Sequence, residues 1–219
     1  WLKKYKKLRN PMPSLLHVSV SPSGEYSVSR GLSKEYISAW KELHPAGEVI
    51  QKDLVKDPVP HLDIEAISAN YAPADKHSPA MSQKHNFRLG LIKEITSADE
   101  ILISTPMWNW SVPSLLKAYI DQIIVGGVLD GSGAAGLAGK KVTFVVAQGG
   151  SYKDGAPRAG WDFATGYLEL VAKALGATDI EVILAEFTLA GVAPGMESLM
   201  DAKNASIAAA KEAARKRAA

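Results

Sequence analysis

The sequence predicts an α/β domain built on one parallel sheet with helices on both faces. Short β-rich apolar runs alternate with helical patterns along the chain, the order that produces strand–helix–strand crossovers. The central runs, Ile101-Leu102-Ile103 and Val142-Thr143-Phe144-Val145-Val146, are continuous rather than alternating. Strands buried on both faces read this way. Neither an internal repeat nor a Pro/Gly-rich linker divides the 219 residues, and one α/β domain reaches that length.

Strands are expected over residues 15–20, 48–54, 100–105, 142–147 and 180–186. Between the first two, Leu32, Tyr36, Trp40 and Leu43 step at helical spacing after a serine-rich loop. Residues 70–79, with Pro73 and Pro79, read as an exposed loop between helices. After the third strand Pro113 opens a helix, where a missing N–H costs nothing, and Leu116, Ile120 and Ile123 form its apolar stripe. Residues 126–139 are too glycine-rich for regular structure. Phe163, Tyr167, Val171 and Leu175 predict a further helix, stopped by Gly176. The Ala/Lys/Glu-rich tail from 197 to 217 is a strong helix former whose polar residues suggest a solvated face.

Composition excludes several classes of function. The chain has no cysteine, so no disulfide framework, thiolate metal site or cysteine nucleophile is available. No apolar run approaches the ~18 residues of a membrane span, and a cytoplasmic protein is expected. The net charge of +2 hides an asymmetry, because Lys3, Lys4, Lys6, Lys7 and Arg9 crowd into residues 1–11. Removing these five from 25 basic residues leaves 20 against 23 acidic, a body near −3. Nucleic-acid binding wants a basic face on the fold itself, and is not expected here. The leader, with Trp1, Tyr5 and Leu8 at helical spacing, has the makings of a basic amphipathic helix. The simpler reading is an extension outside the fold, with the domain running from residue 12 to 219. The five histidines lack the close spacing of a metal site, and most are expected at the surface; no metal is expected.

In open parallel sheets, ligands sit beyond the carboxyl ends of the strands, so three loops carry the chemistry. The first holds Ser21, Ser27, Val28 and Ser29 and leads into a helix N-terminus. Unpaired amides, the helix dipole and serine hydroxyls there suit a phosphate. There is no GxGxxG and no GxxxxGK[ST], so neither dinucleotide nor P-loop binding of the usual kinds fits. The second loop places Met107, Trp108, Asn109 and Trp110 between a buried strand and a Pro-started helix. Aromatics there can wall a planar ring, and the amide can meet a ring edge offering donors and acceptors. The third is Ala147-Gln148-Gly149-Gly150, whose paired glycines allow close approach of backbone to ligand. Taken singly, each loop also has an ordinary structural explanation: an N-cap, a packing aromatic, a tight turn.

Taken together, these segments resemble the FMN-dependent NADH-azoreductases of the flavodoxin-like NAD(P)H:quinone oxidoreductase superfamily. The resemblance rests on the serine loop 21–29, on Pro106-Met107-Trp108-Asn109-Trp110, on the run from Val112 to Asp121, and on Gly139-Lys140-Lys141-Val142 leading to Gly149-Gly150. It implies a flavodoxin-like, five-stranded parallel sheet in the order 2-1-3-4-5. It also implies that Ser21, Ser27, Val28 and Ser29 hold the FMN phosphate and ribityl chain. Met107, Trp108, Asn109 and Trp110 would lie along the isoalloxazine, with Ala147, Gln148, Gly149 and Gly150 on its other side. The implied activity is transfer of electrons from NADH or NADPH to quinones or azo compounds by a two-step ping-pong exchange in a homodimer. The flavin carries the chemistry, so no side chain is expected to be catalytic. Two departures bear on acceptor preference. An arginine common in the family is replaced in the 147–150 segment, and residues 128–131 are short and lack an aromatic pair that roofs the flavin. The alternatives on the same fold are an electron-carrier flavodoxin and a flavin-free interaction scaffold.

Overall fold

A computed structural model describes residues 12–130 and 136–219. The basic leader and two of the predicted loop glycines, Gly131 and Gly133, lie outside the described residues. Five strands, β1 (Ser14–Ser19), β2 (Glu48–Asp53), β3 (Glu100–Pro106), β4 (Lys141–Ala147) and β5 (Asp179–Ala185), pair in parallel in the order β2-β1-β3-β4-β5. This is the expected topology. The helices are α1 (Val28–Leu43), α2 (Ile64–Tyr71), α3 (Pro79–Ser97), α4 (Ser114–Ile123), α5 (Thr165–Ala174) and α6 (Met200–Ala218).

Alternate strand residues feed two cores. Leu16, Val18, Ile101, Ile103, Phe144 and Val146 pack with α3, α4 and α5. Leu15, Leu102, Val145 and Ile183 face α1 and α6 through Leu32, Tyr36, Trp40 and three alanines. β1, β3 and β4 are buried along nearly their whole length, whereas β2 and β5 are half-exposed edges. The continuous apolar runs thus mark the strands covered on both faces.

Several local expectations change. The tail helix α6 is not simply solvated. Ala210, Ala214 and Ala218 recur every fourth residue and are buried against α1, while Arg215 reaches Glu42 at 3.1 Å across the rim. Small side chains let the two helices approach closely, a signal hidden by the polar residues between them. The stripe of α1 ends at Trp40, since Leu43 is exposed. In α5 the buried residues are Leu168 and Ala172, with Leu175 just beyond it, while Phe163 lies outside the helix and is exposed. Gly176, at φ 92°, follows this helix as expected. The predicted 70–79 loop is shorter than expected, because α2 runs to Tyr71 and Pro79 is the first residue of α3.

Two buried polar residues were not anticipated. His17, on central strand β1, is 5% exposed rather than at the surface. Its Nδ1 lies 2.7 Å from Gln51 Oε1 and its Nε2 2.9 Å from Ser104 Oγ. Since Gln51 Oε1 only accepts, Nδ1 carries the proton and Nε2 accepts from the serine. Arg88, on α3, is also buried and donates to the carbonyls of Ala66, Asp121, Gln122 and Ile124 and to Asn70 Oδ1. It satisfies the carbonyl end of α4 that the helix cannot satisfy itself.

Candidate functional site

The three predicted loops follow β1, β3 and β4, adjacent strands in the sheet, so the topology brings them to one edge. Ser21, Ser27 and Ser29 are all buried, Ser29 to 1% exposure. Ser27 is the N-cap of α1: its Oγ accepts from Arg30 N at 3.2 Å and lies 3.3 Å from Ser29 Oγ. Val28 and Ser29 open the helix, where amide N–H groups have no intrahelical carbonyl to meet. Two hydroxyls beside such amides form a donor set of the kind a phosphate needs.

The arginine that follows, unremarked in the sequence, braces this loop from behind. Arg30 Nε donates to the Ser21 carbonyl at 2.8 Å, and Nη2 donates to Asp53 Oδ1 at 2.9 Å. Partial burial would raise the Asp53 carboxyl, but the Arg30 hydrogen bond and the amides of Val55 and Lys56 outweigh it and hold the group below the usual carboxylate range. An open cavity of about 420 Å³ lies alongside, bordered by His17, Gln51 and Asp53. Burial is the main reason the His17 imidazole is held down at about 4, with Arg30 adding to it against Gln51 and Asp53.

The segment after β3 is a hairpin turn. Trp108 and Ser111 exchange both backbone hydrogen bonds, at 2.9 and 3.0 Å, and Asn109 and Trp110 occupy the turn with φ of 47° and 66°. Positive φ at both central positions is the primed-turn geometry. Asn tolerates it, but a bulky residue such as Trp110 does so at a cost of about 1–2 kcal/mol. That conformation holds both indoles on the rim, 42% and 40% exposed. Trp110 meets Trp161 edge to face, with centroids 5.3 Å apart, and its carbonyl accepts from Phe163 N at 2.9 Å. Met107 is buried beneath, its amide bonded to the Ala147 carbonyl.

In the third loop the residues divide by role. Ala147 ends β4. Gln148 is buried, and its Nε2 donates to Asp162 Oδ2 at 2.7 Å; the same carboxylate accepts from Ala164 N, Thr165 N and Thr165 Oγ1 at the start of α5. Gln148 and Asp162 therefore tie the β4 end to the next helix. A Cβ on Gly149 would fall 2.7 Å from Leu189 Cδ1, so this glycine admits a neighbouring loop. A Cβ on Gly150 would meet no atom within 4 Å, which leaves its backbone open to a ligand. The sequence signal for Asp162 is a carboxylate three residues before Thr165 at a helix start.

Residues 13–218 match the family described as having a flavodoxin-like fold. The FMN-dependent NADH:quinone oxidoreductase of Frankia alni is 44% identical over 95% of this chain and all of its own length. The protein described as FMN-dependent NADH:quinone oxidoreductase 2 in Trichormus variabilis is 39% identical, covering 89% of this chain and 96% of that one. Among solved structures, an azoreductase from Bacillus anthracis str. Sterne superposes with a TM-score of 0.82 at 24% identity, over 94% of this chain and 99% of that chain. That likeness concerns the fold.

Proposed function

We propose that this chain, which belongs to the flavodoxin-like family of FMN-dependent NADH:quinone oxidoreductases, is itself an FMN enzyme that passes electrons from a reduced nicotinamide to a quinone or azo acceptor. One observation carries the reading. The serine loop, the tryptophan hairpin and the open glycine stand together at the carboxyl ends of β1, β3 and β4, and the relatives of 39–44% identity are named for FMN, NADH and quinone.

The residues present fit FMN. Ser27, Ser29 and the first amides of α1 would take the phosphate, with Ser21 and Val28 completing the loop. Met107, Trp108, Asn109 and Trp110 would flank the ring system, and Gly149 and Gly150 would bring backbone to its far edge, behind Ala147 and Gln148. Bound there, FMN supplies the oxidation–reduction chemistry. The protein's part is to hold and orient. Backbone amides at a polar ring edge favour negative charge developing there without needing to move. The indoles exclude water from the ring face, and the Asn109 amide offers both a donor and an acceptor to a ring edge.

Apolar groups on the loops after β3, β4 and β5 (Trp108, Trp110, Trp161, Phe163, Leu189 and Val192) are exposed, and clustered exposed apolar surface marks an interaction face. Its proposed cover is a second copy of this chain, with the site at the interface. Residues 12–219 act as one domain, and the protein works in the cytoplasm. Among the described residues, no helix is long and apolar enough to cross a membrane.

The purified protein should show a flavin absorbance spectrum and consume NADH with a simple benzoquinone, without a partner reductase. The double change Ser27→Ala, Ser29→Ala removes two hydrogen bonds to an anion, about 1.5–3 kcal/mol each. It should weaken FMN roughly ten- to several-hundred-fold once water replaces part of the loss. Unchanged FMN affinity in a fluorescence titration would take this loop out of the site.

A further inference from the structure

Between the loops after β4 and β5 lies a second open cavity of about 630 Å³, bordered by Gly149 and Gly150 and by Asp154, Arg158, Phe187, Leu189 and Met196. It shares the glycines with the proposed flavin site and extends away from it. The two loops are laced together, with Thr188 N on the Gln148 carbonyl at 3.0 Å and Leu189 N on that of Gly149 at 3.2 Å.

Two features of the wall are unexplained by folding. Phe187 sits at φ 58°, a conformation an L-residue with a large side chain adopts only under constraint. The charges are also unevenly used. Lys153 is engaged by Glu186 at 2.5 Å, and Ser151 bonds the same carboxylate at 2.7 Å. By contrast, Arg158 stands with Cζ 5.7 Å from the Trp161 ring centroid and makes no ion pair or side-chain hydrogen bond with any described residue. The carboxylate of Asp154 likewise has no such partner among the described residues. The cavity therefore offers one unspent guanidinium, one unspent carboxylate and apolar walls.

We infer that this cavity holds the adenosine diphosphate half of the nicotinamide dinucleotide, and that Asp154 is the residue in it that discriminates against a 2′-phosphate. The inference rests on the FMN reading above, in which Gly149 and Gly150 border both the flavin ring and this cavity. The rest of the dinucleotide then needs a neighbouring surface with three chemistries. Arg158 supplies a forked donor for the pyrophosphate. Phe187, Leu189 and Met196 supply apolar walls for a flat adenine. Asp154 supplies an acceptor for ribose hydroxyls, and its charge repels a 2′-phosphate, the device by which dinucleotide folds of another architecture choose NAD. No glycine-rich dinucleotide motif is required, which agrees with its absence from the sequence.

The test uses the FMN-loaded protein and two donors, NADH and reduced nicotinamide mononucleotide, which lacks the adenosine monophosphate and hence the pyrophosphate. Arg158→Gln should raise the KM for NADH about tenfold, the loss of one charge-assisted contact, with kcat at saturation unchanged. The KM for reduced nicotinamide mononucleotide, which keeps one of the two phosphates, should rise by clearly less. ADP-ribose should inhibit competitively against NADH, and more weakly in the variant. Asp154→Asn should raise kcat/KM for NADPH relative to NADH by several-fold. An unchanged NADH KM in Arg158→Gln, or an equal loss for both donors, overturns the site. A wild-type protein that binds no FMN, or oxidises neither nucleotide, overturns instead the reading on which it rests.

Discussion

Arg30 and Asp53 are joined across the back of the serine loop, Nη2 to Oδ1 at 2.9 Å, while the same guanidinium holds the Ser21 carbonyl through Nε at 2.8 Å. The pair links the first turn of α1 to the end of edge strand β2, with the loop in between. Neither side chain is more than a quarter exposed, at 23% and 18%, so the bond is screened less than a surface pair.

Replacing Arg30 by Met keeps much of the aliphatic packing and removes both bonds. The loop loses its brace and the Asp53 carboxylate its partner, for a cost of about 1–3 kcal/mol. Part of that cost should appear as FMN affinity reduced by about tenfold or more, measured by fluorescence titration of the apoprotein. The acid limb follows from the Asp53 shift. A carboxyl held lower in the folded state than in the unfolded chain contributes stability above its unfolded value, about 4. That contribution is lost as pH falls through the folded value. The difference in stability between wild type and Arg30→Met should therefore shrink below about pH 4. A difference that stays constant with acidification would assign the effect to packing rather than to the ion pair.

His17 gives a separate pH signature. Its imidazole is held at about 4 in the folded protein against about 6.5 in an unfolded chain. The unfolded state thus binds the proton first, and acidification favours unfolding. Above pH ~6.5 both states are neutral and the term is constant. Between that value and about 4 stability falls, by up to about 3 kcal/mol in all. Below it both states are protonated and the loss is complete. Denaturant melts across this window should show a slope that His17→Phe reduces, even though the variant starts from lower stability because Ser104 and Gln51 lose their partner.

The strands were legible in the sequence to within about a residue at each end, most plainly β3 and β4, where burial on both faces writes a nearly unbroken apolar run. The candidate site was legible as loops and not as contacts. Ser27 could be read as an N-cap, but nothing local tells that Arg30 turns back to Ser21 and across to Asp53, 23 positions away. The same holds for His17, whose partners come from two other strands. Gln148 reads as a ligand-loop residue, yet its amide is engaged by Asp162. The alanine seam of α6 was hidden because alanine carries little hydrophobic signal and its value lies in close approach. Each of these depends on tertiary pairing, which periodicity does not encode.

Tyr119 is fully buried in the core under β3, and its hydroxyl has no hydrogen-bond partner among the described residues. Burial pushes the phenol far up, so it stays neutral at any working pH. A hydroxyl desolvated without compensation costs about 1–3 kcal/mol. Tyr119→Phe removes only that oxygen and leaves the ring packing intact. It should leave stability unchanged or raise it by about 1 kcal/mol, read from the denaturant midpoint at constant m-value. A loss of more than about 1 kcal/mol would show that the oxygen does find a partner, an ordered water being the simplest.

The three predicted loops stand at the ends of adjacent strands, and the cavity beside the glycines is proposed to hold only the far half of the dinucleotide. Donor nicotinamide and acceptor would then need the same ground above Asn109 and Gly150, and would occupy it in turn. Steady-state rates at several fixed acceptor concentrations should give parallel double-reciprocal lines. High acceptor should inhibit competitively against NADH, because each blocks the other's place. Intersecting lines would mean that both substrates are bound together, and would require a second place beside the ring. Asn109→Leu tests the flavin site itself. Asn109 is exposed in the primed turn with no side-chain partner among the described residues, so folding makes little use of its amide. Loss of that amide from a ring edge should weaken FMN or slow its reduction by NADH by the equivalent of ~1–3 kcal/mol. Leucine also tolerates positive φ less well than asparagine, so Asn109→Gly, which keeps the turn but not the amide, is the companion variant. If glycine retains wild-type affinity and reduction rate, the asparagine serves the turn alone.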